Sequence, residues 1–221
     1  MQRLPFQVSL AITRVQRQAV ADLRSSAYGR HDYPCGVADR LRQLDDSDLR
    51  ATVLMAHVPR TGAVLGTLRL NCSRRVPGSL PRGFPLQELR GESWTYVDRF
   101  ALQGSGDPTV ALALMKAAWH WAAHNRSTWV LAAALPPLAR RYRQIALRPL
   151  VGGEAGLALP ELHAEPYQVL GERVWAIPDL IRALSPRLVP FFIECDHPDI
   201  TTPQVELPAP RPVTVRERVD A

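Results

Sequence analysis

The spacing of apolar and polar residues predicts three strands in the first third of the chain. Apolar residues alternate with polar ones at positions 6–10, and two longer apolar runs at 51–58 and 62–72 are separated only by Pro59-Arg60-Thr61. Alternation of this kind is typical of strands whose two faces meet different surroundings. The short connection predicts that the two longer runs pair as an antiparallel hairpin.

A helix is predicted between the first strand and the hairpin. Thr13 followed by Gln16 forms a capping-box pattern, and apolar residues then recur at helical spacing up to the region of Arg24 to Tyr28. Residues 29–48 are polar and irregular, which predicts a lid. Residues 74–91 are rich in proline and glycine, which predicts a long loop.

The stretch Ser93–Asn125 predicts a strand, a tight turn and a long amphipathic helix. The turn contains two glycines, Asp107 is placed to cap the helix, and Pro108 occupies the first helical position. The buried face of the helix is marked by Ala111, Leu114, Met115, Ala118, Trp119 and Ala122. A strand that enters such a turn is expected to offer backbone N–H groups to an anionic or amide-bearing ligand.

The second half of the chain continues the alternation of strands and helices. Residues 128–135 are apolar without alternation, which is typical of a strand covered on both faces, and a right-handed crossover would make it parallel to the preceding strand. Pro136-Pro137 is expected to open a short helix. Further strands are predicted within 147–151 and 169–177.

Composition predicts one domain. The chain has 221 residues, of which 46% are hydrophobic, and this is enough for one sizeable core. We expect a single domain at 1–185, followed by a proline-rich extension at 186–221 that is partly disordered. No long apolar run predicts a transmembrane segment, and a cytoplasmic location is the default expectation.

Charge and cysteine content narrow the possible partners. The net charge of +6 comes almost entirely from arginine, since Lys116 is the only lysine, and a basic surface suits an acidic partner. No nucleic-acid-binding motif is present, so we expect no nucleic acid. Cys35, Cys72 and Cys195 lie far apart, which argues against a disulfide framework and a zinc site.

Several short motifs resemble one acyltransferase family. They are Gly66-Thr67-Leu68-Arg69-Leu70, Asp98-Arg99-Phe100-Ala101 and Leu135-Pro136 leading to Arg141-Tyr142-Arg143, with Arg24, Asp45 and Asp48 upstream. Together with the order of predicted elements, they resemble the GNAT acyltransferases, and among them the N-acyl amino acid synthases and the related acyl-homoserine lactone synthases. The resemblance implies an α/β (α+β) fold with a mixed, mostly antiparallel central sheet flanked by helices.

The resemblance also implies a reaction. It is the transfer of a long-chain acyl group from acyl carrier protein, or from coenzyme A, to the amine of an amino acid or another small amine. No tightly bound cofactor is expected, because the acyl-phosphopantetheine of the carrier protein or acyl-CoA serves as co-substrate. The alternatives are an acyl-homoserine lactone synthase, an acyl-CoA-dependent N-acetyltransferase, and a non-catalytic GNAT-like module that binds an acylated carrier or another acidic partner.

Aminolysis of a thioester requires a neutral amine near the carbonyl, stabilisation of the oxyanion and a proton for the leaving thiolate. Phe100, Ala101 and Leu102 are candidates to bind the pantetheine arm and the oxyanion through their backbone; the alternative is an ordinary paired strand. The turn Gly104-Ser105-Gly106 resembles a shortened GNAT pyrophosphate loop and suits the single phosphate of a carrier arm. The alternative is that its glycines simply make a tight turn.

The resemblance suggests an ion cluster that shapes the site and anchors the lid or the substrate. Its predicted members are Arg24, Asp45, Asp48, Arg69 and Arg99. Arginines in central strands need partners, so the alternative is a structural salt-bridge network. Trp94 is a further candidate for substrate binding in an acyl tunnel, with Trp119, Trp121 and Trp129; the alternative is that these aromatic residues belong to the core.

The catalytic candidates are Tyr96, Asp98, Arg99 and Tyr142. Tyr96 stands where the related synthases commonly carry a glutamate, so either Tyr96 or Asp98 is considered as the group that activates the amine. Strand alternation predicts that Tyr96 and Asp98 face one way and Arg99 the other. Tyr142 is the candidate proton donor to the thiolate, and the alternative is a tyrosine packed against the sheet.

A group of arginines is expected to dock the acidic carrier protein beside the active site. Its members are Arg126, Arg140, Arg141, Arg143 and Arg148, and the alternative is an ordinary solvated surface. His120 and His124 lie four residues apart on the long helix without a ligand set around them. We therefore expect surface histidines and no metal site.

Overall fold

A computed structural model describes residues 1–30, 36–42, 48, 50–74, 80–85, 87–104, 106–150, 156–159, 163 and 165–202. Its strands are β1 (Gln7–Leu10), β2 (Thr52–His57), β3 (Val64–Cys72), β4 (Trp94–Leu102), β5 (Trp129–Ala134), β6 (Arg148–Pro149) and β7 (Gln168–Arg173). Its α-helices are α1 (Arg14–Tyr28), α2 (Val37–Arg42), α3 (Pro108–His124), α4 (Pro136–Gln144) and α5 (Ile177–Leu184). Shorter helical turns lie at Gln87–Leu89, Pro186–Leu188 and Pro190–Glu194.

The seven strands form one sheet in the order β1-β2-β3-β4-β5-β7-β6. The β4–β5 pair is parallel, and the other pairs are antiparallel. The predicted mixed, mostly antiparallel sheet, the hairpin of β2 and β3, and the parallel crossover through α3 are therefore confirmed.

Helices α1 and α3 cover opposite faces of this sheet, as the alternation along β2 shows. Val53 and Met55 pack with Val20 of α1, whereas Leu54 packs in the main core with Leu114 of α3. Alternate residues of a strand point to opposite faces, so the two helices must lie on different sides.

Both predicted helix starts are present. The Thr13 hydroxyl accepts a hydrogen bond from the backbone N–H of Gln16, whose side chain bonds back to the Thr13 N–H. Asp107 caps α3 by accepting the N–H of Thr109, and Pro108 is the first helical residue.

The predicted lid at 29–48 is described only in part, and α2 lies within it.

The parallel strands β4 and β5 separate at their carboxyl ends. They pair from Trp94–Trp129 to Val97–Ala132, after which β4 continues beside β3 and β5 continues beside β7. The pairing of β3 with β4 also shifts between Thr67 and Arg69, opposite Arg99, whose φ of 50° is left-handed. This irregularity is a β-bulge, which bends a strand and redirects its side chains.

Residues 186–202 pack against the domain. Ile200 forms a parallel bridge with Val8 of β1, and the Val8 N–H bonds to the carbonyl of Asp199. The predicted domain boundary at 185–186 remains a prediction, and residues 203–221 lie outside the described part.

Within the described ranges, none of the helices combines the length and the apolar character needed to span a bilayer.

Candidate active site

A cleft of about 490 Å³ opens where β4 and β5 separate. One wall is the carboxyl end of β4, and the other is the start of α4. The end of α1 and the turn after β4 complete it. The lining residues are Ala27, Tyr28, Arg30, Phe100, Ala101, Leu102, Gly104, Gly106, Leu135, Pro137, Leu138, Arg141 and His163. Phe100, Ala101 and Leu102, the predicted thioester-binding residues, thus line a cavity of the size expected for a small-molecule site.

The edge of β4 that faces away from β3 carries backbone groups toward this cleft. The Gln103 N–H bonds to the Leu65 carbonyl next to β3. Because backbone groups alternate between the two edges of a strand, those of Leu102 point to the other edge. There the Leu102 carbonyl accepts a hydrogen bond of 3.1 Å from Arg30 Nη2.

The turn after β4 has the glycine geometry expected of it. Gly104 and Gly106 have φ of 57° and 79°, and both line the cleft. A Cβ at Gly106 would lie 2.8 Å from Leu102 Cδ1, so a larger residue there would press on the cleft wall. Ser105 lies outside the described residues.

The start of α3 is a less favourable anion site than the sequence suggested. Pro108 has no N–H, and the Thr109 N–H is already bonded at 2.7 Å to the Asp107 carboxylate, whose charge repels other anions. Helix capping therefore removes two of the first backbone donors at this helix end, and the predicted anion site stays a prediction.

Asp48 is the centre of an ion cluster. Its Oδ1 lies 2.8 Å from Arg24 Nη1 and 3.6 Å from Arg69 Nη1, while its Oδ2 pairs with Arg99 Nη1. Arg17 Nη1 also donates to the Asp48 backbone carbonyl at 2.5 Å. The structure thus brings together four of the five predicted members; Asp45 lies outside the described residues.

A second carboxylate extends the cluster. Arg69 donates to Asp98 through Nε at 2.7 Å and through Nη2 at 2.6 Å, which is a bidentate pair. The expectation that Arg99 faces away from Asp98 is wrong, because both side chains reach the same cluster. The bulge at Arg99 breaks the alternation on which that prediction rested.

Burial gives Arg24 an unusual electrostatic environment. The side chain is fully buried, and this burial lowers the pKa of Arg24, while the Asp48 carboxylate opposes the shift. Within the described part of the chain, Nε and Nη2 of Arg24 have no hydrogen-bond partner. A buried guanidinium is costly without a carboxylate, so Asp48 is required for this arrangement.

Comparisons of structure show which proteins share this architecture. An N-acyl amino acid synthase, FeeM, from uncultured soil microbes superposes with a TM-score of 0.62 at 15% identity, covering 81% of this chain and 98% of its own. The acyl-homoserine lactone synthase LasI gives 0.56 at 16% identity, with 76% and 90% covered. An acetyltransferase assigned to the GNAT family, from Desulfovibrio desulfuricans, gives 0.53 at 13% identity, with 76% and 99% covered.

The chain has the GNAT acyltransferase fold. At the level of the fold, this confirms the resemblance to N-acyl amino acid synthases and acyl-homoserine lactone synthases. No family model matches the sequence, and no curated protein matches it.

Tyr96 is a buried residue that lies outside the lining of the cleft. It is 4% exposed, packs edge-on against Phe84 at 5.6 Å between ring centroids, and does not line the cleft. Burial raises the pKa of Tyr96 well above its usual value, and the Asp98 carboxylate adds to the shift. Tyr96 therefore stays a neutral phenol, and the prediction that it activates the amine gains no support.

Tyr142 is buried in the core against the paired part of β4 and β5, and it does not line the cleft. It is 2% exposed and lines a small apolar cavity with Val97 of β4 and Val130 of β5. Burial raises the pKa of Tyr142, and Tyr28 and Asp98 contribute in the same direction. The raised pKa keeps Tyr142 protonated, so its hydroxyl can serve as a hydrogen-bond or proton donor but not as a base, and any proton it gives up must be replaced at once.

Trp94 is a core residue and does not line the cleft. It is 8% exposed and begins β4 opposite Trp129, at the end of the strand remote from Leu102. The predicted substrate contact of Trp94 therefore gains no support from the lining of this cleft and stays a prediction. Trp119 stacks on Phe192 and donates its indole N–H to the Val174 carbonyl, as expected of a core tryptophan.

The predicted docking arginines are not all near the cleft. Arg141 lines it, and Arg140 and Arg143 share its helix, α4. Arg148 pairs at 2.6 Å with Glu172 at the edge of the sheet. Arg126 follows α3 and lies beside Ser93, at the end of the parallel strands opposite to the cleft, so it cannot share the surface beside the cleft.

Three of the polar lining residues were not selected from the sequence. Tyr28 and Arg30 close the end of α1, and His163 comes from the loop before β7. His163 Nδ1 accepts the Glu165 N–H at 3.1 Å, which leaves the neutral ring with its proton on Nε2. No sequence motif marks these residues, because only the fold brings them to the end of β4.

Potential metal-ligating side chains are not clustered in the described ranges. No group of three or more His, Cys, Asp or Glu residues in those ranges is arranged to hold a metal ion. His120 is partly buried beside Trp119, and its surface location was predicted incorrectly. Burial lowers the pKa of His120 to about 4, and the nearby Lys116 adds to this shift.

Proposed function

We propose that this protein is an N-acyltransferase that moves an acyl group from a pantetheine thioester to the amine of an amino acid. The observation that carries the proposal is the cleft between β4 and α4, with Phe100, Ala101 and Leu102 along one wall. A strand edge of this kind can pair with the amides of a pantetheine arm, as an added strand would. The shared fold with FeeM and LasI supports it.

The start of α3 favours acyl carrier protein over coenzyme A as donor. Coenzyme A carries a pyrophosphate, and helix N-termini are common binding sites for such groups. Here Asp107 and Pro108 remove two of the first donors and add a negative charge. A carrier protein's arm has one phosphate, and the basic surface of the chain suits the acidic carrier.

The ion cluster supports an acceptor with a carboxylate. Arg99 immediately precedes the cleft residue Phe100, its side chain is 17% exposed, and Asp48 holds its guanidinium in place. A positioned guanidinium recognises a carboxylate through paired hydrogen bonds. An amino acid bound there would direct its amine toward the thioester in the cleft.

The reaction requires one bond to form and one to break. The amine nitrogen attacks the thioester carbonyl carbon, and a backbone N–H at the β4 edge stabilises the oxyanion. The tetrahedral intermediate then expels the thiolate, which takes a proton from Tyr142, and Tyr142 regains a proton through solvent from the ammonium group of the intermediate. The net transfer is from the ammonium group to the thiolate sulfur, and Tyr142 ends protonated as its raised pKa requires.

The test is direct product detection. Pure protein is incubated with acyl carrier proteins of several chain lengths and pooled amino acids, and free thiol and N-acyl amino acid are measured by mass spectrometry. We expect both products in equal amounts. A parallel reaction with acyl-CoA shows which donor is preferred.

Two variants make the test specific to the cleft. Ala101→Phe places a ring in the cleft wall and should abolish turnover, whereas Ala183→Phe, on the exposed face of α5, should leave it unchanged. If the acylated carrier binds but no amine is acylated under any condition, the protein is a binding module and the enzymatic proposal is wrong. If Ala101→Phe folds and keeps full turnover, the reaction does not take place in this cleft.

A further inference from the structure

Two arginines that are distant in sequence line the same cleft. Arg30 follows the end of α1, Arg141 lies on α4, and both line the cavity together with the turn residues Gly104 and Gly106. The described lining contains no aspartate or glutamate. The cleft therefore presents two positive charges and no carboxylate among these residues.

Arg30 is held in a defined position. Its Nη1 donates to Ser26 Oγ at 3.1 Å, and its Nη2 donates to the carbonyls of Leu102 at 3.1 Å and Gly104 at 3.4 Å. These acceptors are neutral, so they orient the guanidinium without cancelling its charge. No ion pair joins Arg30 or Arg141 to a carboxylate in the described part of the chain.

The start of α3 is a poor site for an anion beside the cleft. The carboxylate of Asp107 accepts the Thr109 N–H, and Pro108 has no N–H to donate. The negative charge of Asp107 and the positive charges of Arg30 and Arg141 both favour binding of an anion at the guanidinium groups. Guanidinium groups are well suited to phosphate because their planar N–H donors match two phosphate oxygens at once.

We propose that Arg30 and Arg141 form a phosphate clamp for the single phosphate of a phosphopantetheine arm. The inference rests on the proposed function, in that the cleft binds such an arm, and it names the groups that recognise the arm. Arg30 then has two roles, since it also links the end of α1 to the carboxyl end of β4. The phosphate is held at the turn while the thioester end lies along β4.

The test measures binding without requiring turnover. Calorimetry compares 4′-phosphopantetheine with pantetheine, which lacks the phosphate. We expect the wild-type protein to bind the phosphorylated compound about a hundredfold more tightly, since each charge-assisted contact contributes about tenfold. Arg30→Gln and Arg141→Gln should each lower this ratio by about tenfold, with the binding of pantetheine unchanged.

A matched control is available outside the cleft and outside the predicted docking group. Arg187 is exposed on the helical turn Pro186–Leu188 and does not line the cleft, so Arg187→Gln should keep the full ratio. Should Arg30→Gln lose stability because its links to β4 are broken, Arg141→Gln still tests the clamp, since the Arg141 side chain makes no hydrogen bond or ion pair among the described residues.

The outcomes separate this inference from the proposed function. If the wild-type protein acylates amines but binds both compounds equally, the phosphate clamp is wrong and the acyltransferase proposal stands. If Arg187→Gln lowers the ratio as much as Arg141→Gln, the effect comes from the general positive charge of the protein and the clamp is also wrong. If neither compound binds and no donor is turned over, both proposals fail. Tighter binding of coenzyme A than of phosphopantetheine would contradict recognition of a single phosphate.

Discussion

At the scale of single residues, the conformation of Arg99 shows how the site is built. Its φ of 50° is unfavourable for a residue with a Cβ, and its guanidinium pairs with the buried Asp48. The bulge that contains it places Arg99 in the cluster and Phe100 in the cleft wall. The backbone strain and the ion pair are thus two consequences of one local distortion.

Replacing Arg99 by alanine and by glycine separates these two effects. Both changes remove the ion pair, but only glycine adopts a φ of 50° without strain. We expect Arg99→Gly to be more stable than Arg99→Ala by about 1 kcal/mol in urea unfolding, and both to be less stable than the wild type. Equal stabilities would show that the left-handed backbone at this position stores no strain.

Tyr142 allows a test of proton transfer at the same scale. Tyr142→Phe removes only the hydroxyl from a buried ring, so kcat should fall by roughly a hundredfold while the free energy of unfolding changes little. Steady-state kinetics with acyl carrier protein measure kcat, and urea unfolding measures the free energy of unfolding. An unchanged kcat would remove Tyr142 from the mechanism.

At the scale of elements, α3 is tied to the C-terminal segment by the only lysine of the chain. Lys116 is 3% exposed, and its Nζ donates to the carbonyls of Phe191 at 3.0 Å and Cys195 at 2.6 Å. These carbonyls belong to the helical turn Pro190–Glu194 and the residue after it. Residues 190–195 are therefore anchored to the helix that leads away from the cleft.

Lys116 predicts a pH dependence of stability. Burial lowers the pKa of Lys116 from 10.5 to about 8, against weaker opposition from Cys195 and Asp196. Between these two values the unfolded chain binds more protons than the folded one, so this residue's contribution to stability should rise as the pH increases from about 8 to 10.5. The contribution of Lys116 to the free energy of unfolding cannot rise by more than about 1.4 kcal/mol per pH unit.

The measurement compares urea unfolding of the wild type with Lys116→Met across this pH range. Methionine has a similar length and no charge, so the difference between the two curves isolates Lys116 from tyrosines and cysteines that titrate in the same range. The advantage of the wild type over the variant should grow with pH. Parallel curves would show that the buried amine does not change its protonation on folding.

At the scale of the whole molecule, the Asp48 cluster connects elements that are distant in sequence. Arg24 belongs to α1, Arg69 to β3 and Arg99 to β4, and all three reach Asp48. The cluster lies on the face of the sheet that α1 covers, next to the separation of β4 from β5. It therefore stabilises the fold and the site together.

Asp48→Asn tests the structural importance of this connection. The change leaves buried guanidinium groups without their shared carboxylate, so we expect the free energy of unfolding to fall by about 3–5 kcal/mol. Asp179→Asn is a matched control, since Asp179 forms an exposed pair with Arg182 at 2.8 Å and should cost less than about 1 kcal/mol. A similar small loss for both variants would show that the buried cluster contributes little.

The sequence by itself determined the features that depend on neighbouring residues. The caps at Thr13 and Asp107 are formed by bonds across two or three residues, and the alternation in β2 follows from strand geometry. The arginines and aspartates of the cluster could also be selected, because charged residues in apolar strands need partners. Most of the fold was therefore predictable, together with the residues of the β4 wall.

The tertiary structure alone decided which of these groups meet. Arg30 bonds to Leu102 across 72 residues, and His163 reaches the cleft from the loop before β7, so no local pattern could indicate either contact. The bulge at Arg99 reversed the facing expected from alternation, because one extra residue in a strand moves each following side chain to the other face. Strand alternation and helix capping depend on residues that are close in sequence. The cleft forms only where elements that are distant in sequence pack against one another.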